Sequence, residues 1–242
     1  MISRDSVFYF ATKFFLLGLI NMNMIKSPAA AYTIGEEVAN SVLHGIGTLG
    51  ATAGLVLLNL KARGIFGGPK GSGLDIAAVL LFTAAMIGMF LVSTLYHAIQ
   101  HSGAKRVLRI LDHSVIYLFI AGTYTPLCLT GLKGAWGWSL FAVEWFLAAL
   151  GVSLYVLGFK ALKKVEVAVY ILMGWVIVIG FVPLLRSVPM ISIILLMGGG
   201  VAYTMGTVFY RKKHIRGTHA VWHAFVLLGT VCHWFSIWFL QH

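Results

Sequence analysis

Apolar residues along the chain fall into seven long runs, each bounded by charged residues or by Gly and Pro. The runs cover residues 38–60, 74–98, 107–130, 136–159, 165–185, 188–210 and 219–240. At about 1.5 Å per residue, each can cross the roughly 30 Å hydrocarbon core of a bilayer. A segment in lipid must satisfy its own backbone hydrogen bonds, so the pattern predicts an all-α integral membrane bundle of seven transmembrane helices. Only Arg186 and Ser187, with Pro183 and Pro189 on either side, divide the fifth run from the sixth. A tight turn and a re-entrant pair both fit that spacing.

The polar positions between the runs set an orientation. With the N-terminus inside, the inner segments carry Arg4, Lys13, Lys26, Lys105, Arg106, Arg109, Lys160, Lys163, Lys164, Arg211, Lys212, Lys213 and Arg216. The outer segments carry only Lys61, Arg63, Lys70, Lys133 and Arg186. Basic residues concentrate in cytoplasmic loops, so the N-terminus is expected in the cytoplasm and the C-terminus, after an odd number of spans, outside.

Composition agrees. The chain is 60% hydrophobic and 10% charged, whereas a soluble domain needs about 25% charged residues to coat its surface. The net charge of +11 is accounted for by these loops, where it sets topology and meets anionic headgroups, so no nucleic-acid partner is expected. Cys128 and Cys232 lie within apolar runs and read as small core residues.

Residues 36–242 form one seven-span domain. Residues 1–35 stand apart as a cytoplasmic or interfacial segment. Phe8 to Ile20 is apolar with a basic flank, and the stretch reads as an interfacial lead-in or as an overlong start, with Met22 or Met24 the true beginning. Ala29-Ala30-Ala31 mimics a signal-peptidase site. Cleavage there would put the mature N-terminus outside, against the charge bias.

Polar side chains inside spans need a reason. Ser93 and His97, spaced i, i+4, share a face at the inner end of the second span. Asp112 lies one to two turns into the third span from the same side. His219 and His223, again i, i+4, open the seventh span there. Three imidazoles make a sound Zn²⁺ set with a fourth position open, and an open position beside a carboxylate is the catalytic pattern. The expected metal ligands are therefore His97, His219 and His223, with Asp112 as base or water-orienting group and Ser93 as a hydrogen-bond donor to water or to a polarised carbonyl. The competing reading makes these histidines interhelical hydrogen-bonding groups.

Other signals carry less chemistry. Gly45, Gly47 and Gly50 match a dinucleotide-binding spacing without the required strand, and read as close helix packing, as do Gly198 to Gly200. Pro126 is expected to end or kink the third span. His44 reads as a partner for Asp112 or as a helix-contact residue, and His113 and His233 as lying off the metal. Glu144, mid-span, is expected to pair with a buried polar group, to be protonated or to act directly. Trp136, Trp138, Trp234 and Trp238 read as interface anchors.

The stretches Ser93-Thr94-Leu95-Tyr96-His97, Leu111 to Pro126 (LDHSVIYLFIAGTYTP) and His219-Ala220-Val221-Trp222-His223, with Glu36 to Ser41 and His44 near the start, resemble the bacterial haemolysin III proteins of the progestin and adipoQ receptor superfamily. The resemblance runs from about residue 32 to the end. It implies seven helices with a cytoplasmic N-terminus in the bacterial inner (plasma) membrane. It also implies zinc on His97, His219 and His223, with Asp112 and Ser93 around it. Wider relatives look like lipid amide hydrolases, which makes a zinc-dependent hydrolase of a membrane-lipid amide or ester the leading expectation. A non-catalytic regulator or sensor of membrane lipid state with structural zinc is the alternative. A pore-forming haemolysin is the third reading, disfavoured because a multi-span protein cannot cross water unaided.

Overall fold

The computed structural model describes residues 32–212 and 214–240. The expectations for residues 1–31, including the signal-peptide and start-site readings, lie outside the described residues. Seven helical spans appear where the apolar runs predicted them.

Helix α1 is Ile34–Ala62 and α2 is Gly73–Ala98. Both begin on capping boxes, Thr33 with Glu36 and Ser72 with Asp75, which satisfy backbone donors at the polar boundary. Helix α3, Ser102–Pro126, continues as a π-helical turn over Leu127–Leu132. Helix α4 is Gly134–Val156. The fifth span is composite: α5 (Lys160–Trp175), a 3₁₀ stretch (Val176–Gly180) and the short α6 (Phe181–Ser187). Helices α7 (Met190–Arg211) and α8 (Thr218–Leu240) complete the bundle. The fifth and sixth spans are each long and apolar enough for a full crossing, and a tight turn at Val188 and Pro189 joins them.

The third span sits at the centre. Of its apolar stretch, 72% is buried, against no more than 44% for any other span. Phe146, Leu172 and Ile179 on the periphery are exposed, as expected of a surface solvated by acyl chains. Pro126 does not end the third span. Its missing N–H gives way to the π-helical register, which carries the chain on to Leu132.

The break in the fifth span has an identifiable cause. The Tyr124 hydroxyl donates towards the carbonyls of Met173 and Gly174, both at 3.0 Å, and accepts from the Ile177 N–H at 2.8 Å. A side chain inserted into the i→i−4 ladder in this way distorts a helix.

Two glycines account for close helix approaches. A Cβ on Gly47 would stand 2.5 Å from the Phe90 ring of α2, whereas Gly50 faces open space. A Cβ on Gly199 would stand 2.9 Å from the Gly229 carbonyl of α8 and press on His233. Gly199→Ala is therefore expected to destabilise the bundle by about 1–3 kcal/mol through overpacking against backbone. Gly198→Ala, with open space at its Cβ, serves as the control, and thermal unfolding in detergent measures both.

Other residues refine the sequence expectations. Trp136 and Trp138 are exposed as anchors should be. Trp234 instead donates to the Gly54 carbonyl at 3.3 Å and stacks on Trp238, so it joins α8 to α1. Cys128 is buried and Cys232 half-buried. Glu144 is fully buried, and neither carboxyl oxygen has a hydrogen-bond partner among the described residues.

Candidate metal centre

The end of the bundle where α1, α3 and α8 begin and α2 ends is the basic end, bearing Lys105, Arg106 and Arg109. There α2 contributes His97 from its last turn and α8 contributes His219 and His223 from its first two turns. One nitrogen from each ring lies within 4.8 Å of the others. The i, i+4 spacing puts both α8 imidazoles on one face, with ring centroids 4.6 Å apart. The His97 centroid is 5.0 Å from that of His223 and 5.3 Å from that of His219.

The fit to a metal is tested by what the ring nitrogens do. His97 directs Nδ1 to the Glu37 carboxylate at 2.6 Å, so its Nε2 is the free ligand atom. His223 directs Nδ1 to Nε2 of His44 on α1. The Nε2 atoms of His97 and His223 are buried, and neither has a hydrogen-bond partner among the described residues. Orphaned buried nitrogens are rare in folded proteins because each forfeits a hydrogen bond. Two of them converging beside a third imidazole fit a cation with nitrogen ligands, zinc being the common one. Small side-chain rotations would let one ion reach all three.

Glu37 was missed as a functional residue in the sequence, where it stood only within the Glu36 to Ser41 stretch that carries the family resemblance. Its two oxygens hold His97 Nδ1 and Lys105 Nζ, each at 2.6 Å. A carboxylate on the outer nitrogen of a ligand histidine fixes the ring and raises its basicity. A signal existed: Glu37, Asn40 and His44, at i, i+3 and i+7, are polar on one face of a largely apolar span, and all three are buried. Helix α1 thus supplies the outer support for ligands from α2 and α8. Glu36 adds a tie across the same end, accepting from the Gly217 N–H at 2.7 Å. Glu37→Gln is expected to lower zinc affinity about 10–100-fold while leaving the fold intact. A competition titration with a chelating dye measures it, with Glu36→Gln, which touches no ligand, as comparison.

Asp112 and Ser93 both reach the site. The Ser93 side chain lies close to the Asp112 carboxylate, which is within electrostatic range of His97. Both residues line one cavity with His219 and His223. Of its two readings His44 takes the contact between helices, meeting His223 on α8 and not Asp112. His113 turns away, its Nδ1 3.3 Å from Glu166 and its ring stacked on Tyr155. His233 lies far along α8, with Nε2 3.1 Å from the Leu196 carbonyl. Neither joins the three-histidine group.

The cavity measures about 440 Å³. It runs from Asp112 and the α8 histidines past Ile116, Phe119 and Val226 to His233. The ten residues from His223 to His233 correspond to roughly 15 Å of helix, about the depth of one leaflet's hydrocarbon. Tyr124, Gly174 and Ile177, at the break in the fifth span, form part of its wall.

Fold and site together define a polytopic, all-helical membrane protein with a three-histidine group able to hold a metal, opening onto an apolar cavity. The chain belongs to the haemolysin III family, and through it to the progestin and adipoQ receptor superfamily. The profile for haemolysin-III related proteins matches residues 32–234. The chain is similar to the hemolysin-3 homolog of Bacillus subtilis (strain 168), with 41% identity over 86% of this chain and 95% of that protein. It is 35% identical to hemolysin-3 of Bacillus cereus over 85% of this chain and 92% of the relative. The human monocyte to macrophage differentiation factor is 28% identical over 85% of this chain and 84% of its own length.

Proposed function

We propose that the protein is a zinc-dependent hydrolase of a membrane-lipid amide or ester, held in the bacterial inner membrane with its N-terminus and the basic end in the cytoplasm. The observation that carries this reading is the three-histidine group with two orphaned nitrogens, set beside Asp112 at one end of an acyl-sized apolar cavity.

His97, His219 and His223 would hold the ion. Zinc in such a site polarises a carbonyl and makes water nucleophilic near neutral pH. Glu37 and His44 hold two of the imidazoles in a fixed tautomer and orientation. Asp112 accepts the proton released by attacking water at a carboxylate oxygen, and returns it to the leaving oxygen or nitrogen. The Ser93 hydroxyl, close to Asp112, would donate to one carboxylate oxygen and so set which oxygen faces the reacting groups. Ile116, Phe119 and Val226 receive the acyl chain and keep bulk water from the site.

Incubation of zinc-loaded protein with a panel of lipid amides and esters tests the reading, with release of fatty acid as the expected result. No release from any lipid, at full zinc occupancy, would leave the second reading: a regulator of membrane lipid state in which zinc is structural. The ligand set favours that reading to the extent that it ties α2 to α8, with α1 bracing both.

A further inference from the structure

Among the described residues, the wall of the cavity contains one Lys or Arg side chain, and the proposed hydrolysis does not use it. Arg109 lines it together with Asp112, three residues earlier on α3 and so one turn nearer the basic end. None of the ion pairs among the described residues involves Arg109. Its electrostatic neighbours are the phenol rings of Tyr96 and Tyr155. The nearby Lys105 is, by contrast, committed to Glu37 at 2.6 Å. The mouth therefore offers a guanidinium with no carboxylate partner among the described residues, above an apolar channel about one leaflet deep.

We propose that the cavity is built for an anionic acyl lipid, with Arg109 holding a phosphate of the headgroup. The proposal rests on the hydrolase reading for the position of the scissile bond and narrows its substrate class to phosphate-bearing lipids. Three features support it. Arg presents a planar fork of donors that matches phosphate oxygens and keeps its charge when half-buried. Asp112 alone would repel an anion from this end of the cavity, and Arg109 offsets that charge. In a phospholipid the phosphate is separated from the nearest acyl carbonyl by only a few bonds. A phosphate at Arg109 thus brings that carbonyl down to the level of Asp112, while the chain continues towards His233. A neutral lipid would leave the guanidinium half-desolvated without compensation. Inorganic phosphate would leave the channel unfilled.

The test reads binding and needs no turnover. Purified protein in a neutral detergent is titrated with dodecyl phosphate, with dodecanol and with inorganic phosphate, in zinc-loaded and chelator-treated forms. Dodecyl phosphate is expected to bind most tightly in both forms. Arg109→Gln should weaken dodecyl phosphate by about tenfold or more and leave dodecanol unchanged, which also shows that the cavity of the variant is intact. Arg109→Lys should recover part of the loss. Equal binding of dodecanol and dodecyl phosphate by the wild type would overturn the proposal. So would an Arg109→Gln variant that binds dodecyl phosphate like the wild type, or inorganic phosphate binding as tightly as the amphiphile. Any of these would leave the hydrolase reading standing, because absence of turnover is measured separately. If Arg109→Gln does not fold, the ligand comparison on the wild type and on Arg109→Lys still decides.

Discussion

His223→Ala is expected to abolish stoichiometric zinc binding and, with it, release of fatty acid from any lipid substrate. His223 is deeply enclosed within the site: its ring is buried, faces both other ligand histidines and is steered by His44. Removing it leaves two imidazoles on different helices, and two nitrogens do not make the set of protein ligands that zinc requires. Loss of an outer partner alone weakens such sites about 10–100-fold, so loss of a ligand should exceed that range. Metal analysis after dialysis against a weak chelator measures the effect. His233→Ala is the control, because that ring meets the Leu196 carbonyl and not the ligand group. Zinc retained at one per chain in His223→Ala would sink the assignment of the centre.

Asp112→Asn is expected to lower hydrolysis about 10²–10⁴-fold with zinc content unchanged. The substitution keeps the size of the side chain and an oxygen for Ser93 to donate to, but removes the capacity to take up a proton. That capacity is what a positioned general base contributes. The two readouts separate three roles for Asp112. Lost activity with retained zinc is the signature of a base, whereas loss of both would make Asp112 a fourth ligand. Full activity would remove it from the chemistry, and the proton acceptor would then have to be sought elsewhere along the cavity.

Taken together, the variants at His223, Asp112 and Glu37 distinguish a catalytic centre from a structural one. A structural zinc predicts that unfolding temperature follows zinc content in every variant. A catalytic zinc predicts that Asp112→Asn leaves both unchanged while turnover is lost.

Much of this was present in the chain itself. Runs of spanning length leave the backbone no alternative to helix in lipid, so the number and placement of the spans followed from hydropathy. The i, i+4 spacing of Ser93 with His97 and of His219 with His223 fixed which side chains share a face, and span order put Asp112 at the same depth. Depth and face are local quantities, set by rise and periodicity. What a residue meets on the neighbouring helix is not local. Glu37 and His97 are 60 residues apart, and His44 and His223 are 179 apart. Their contacts depend on how each helix is rotated and how closely it approaches its neighbour. Those variables are decided by packing at places such as Gly47 against Phe90 and Gly199 against α8, since lipid rewards one buried apolar face no more than another. The tertiary structure alone therefore decided that Glu37 grips His97, that His44 serves His223 and that a tyrosine hydroxyl breaks the fifth span.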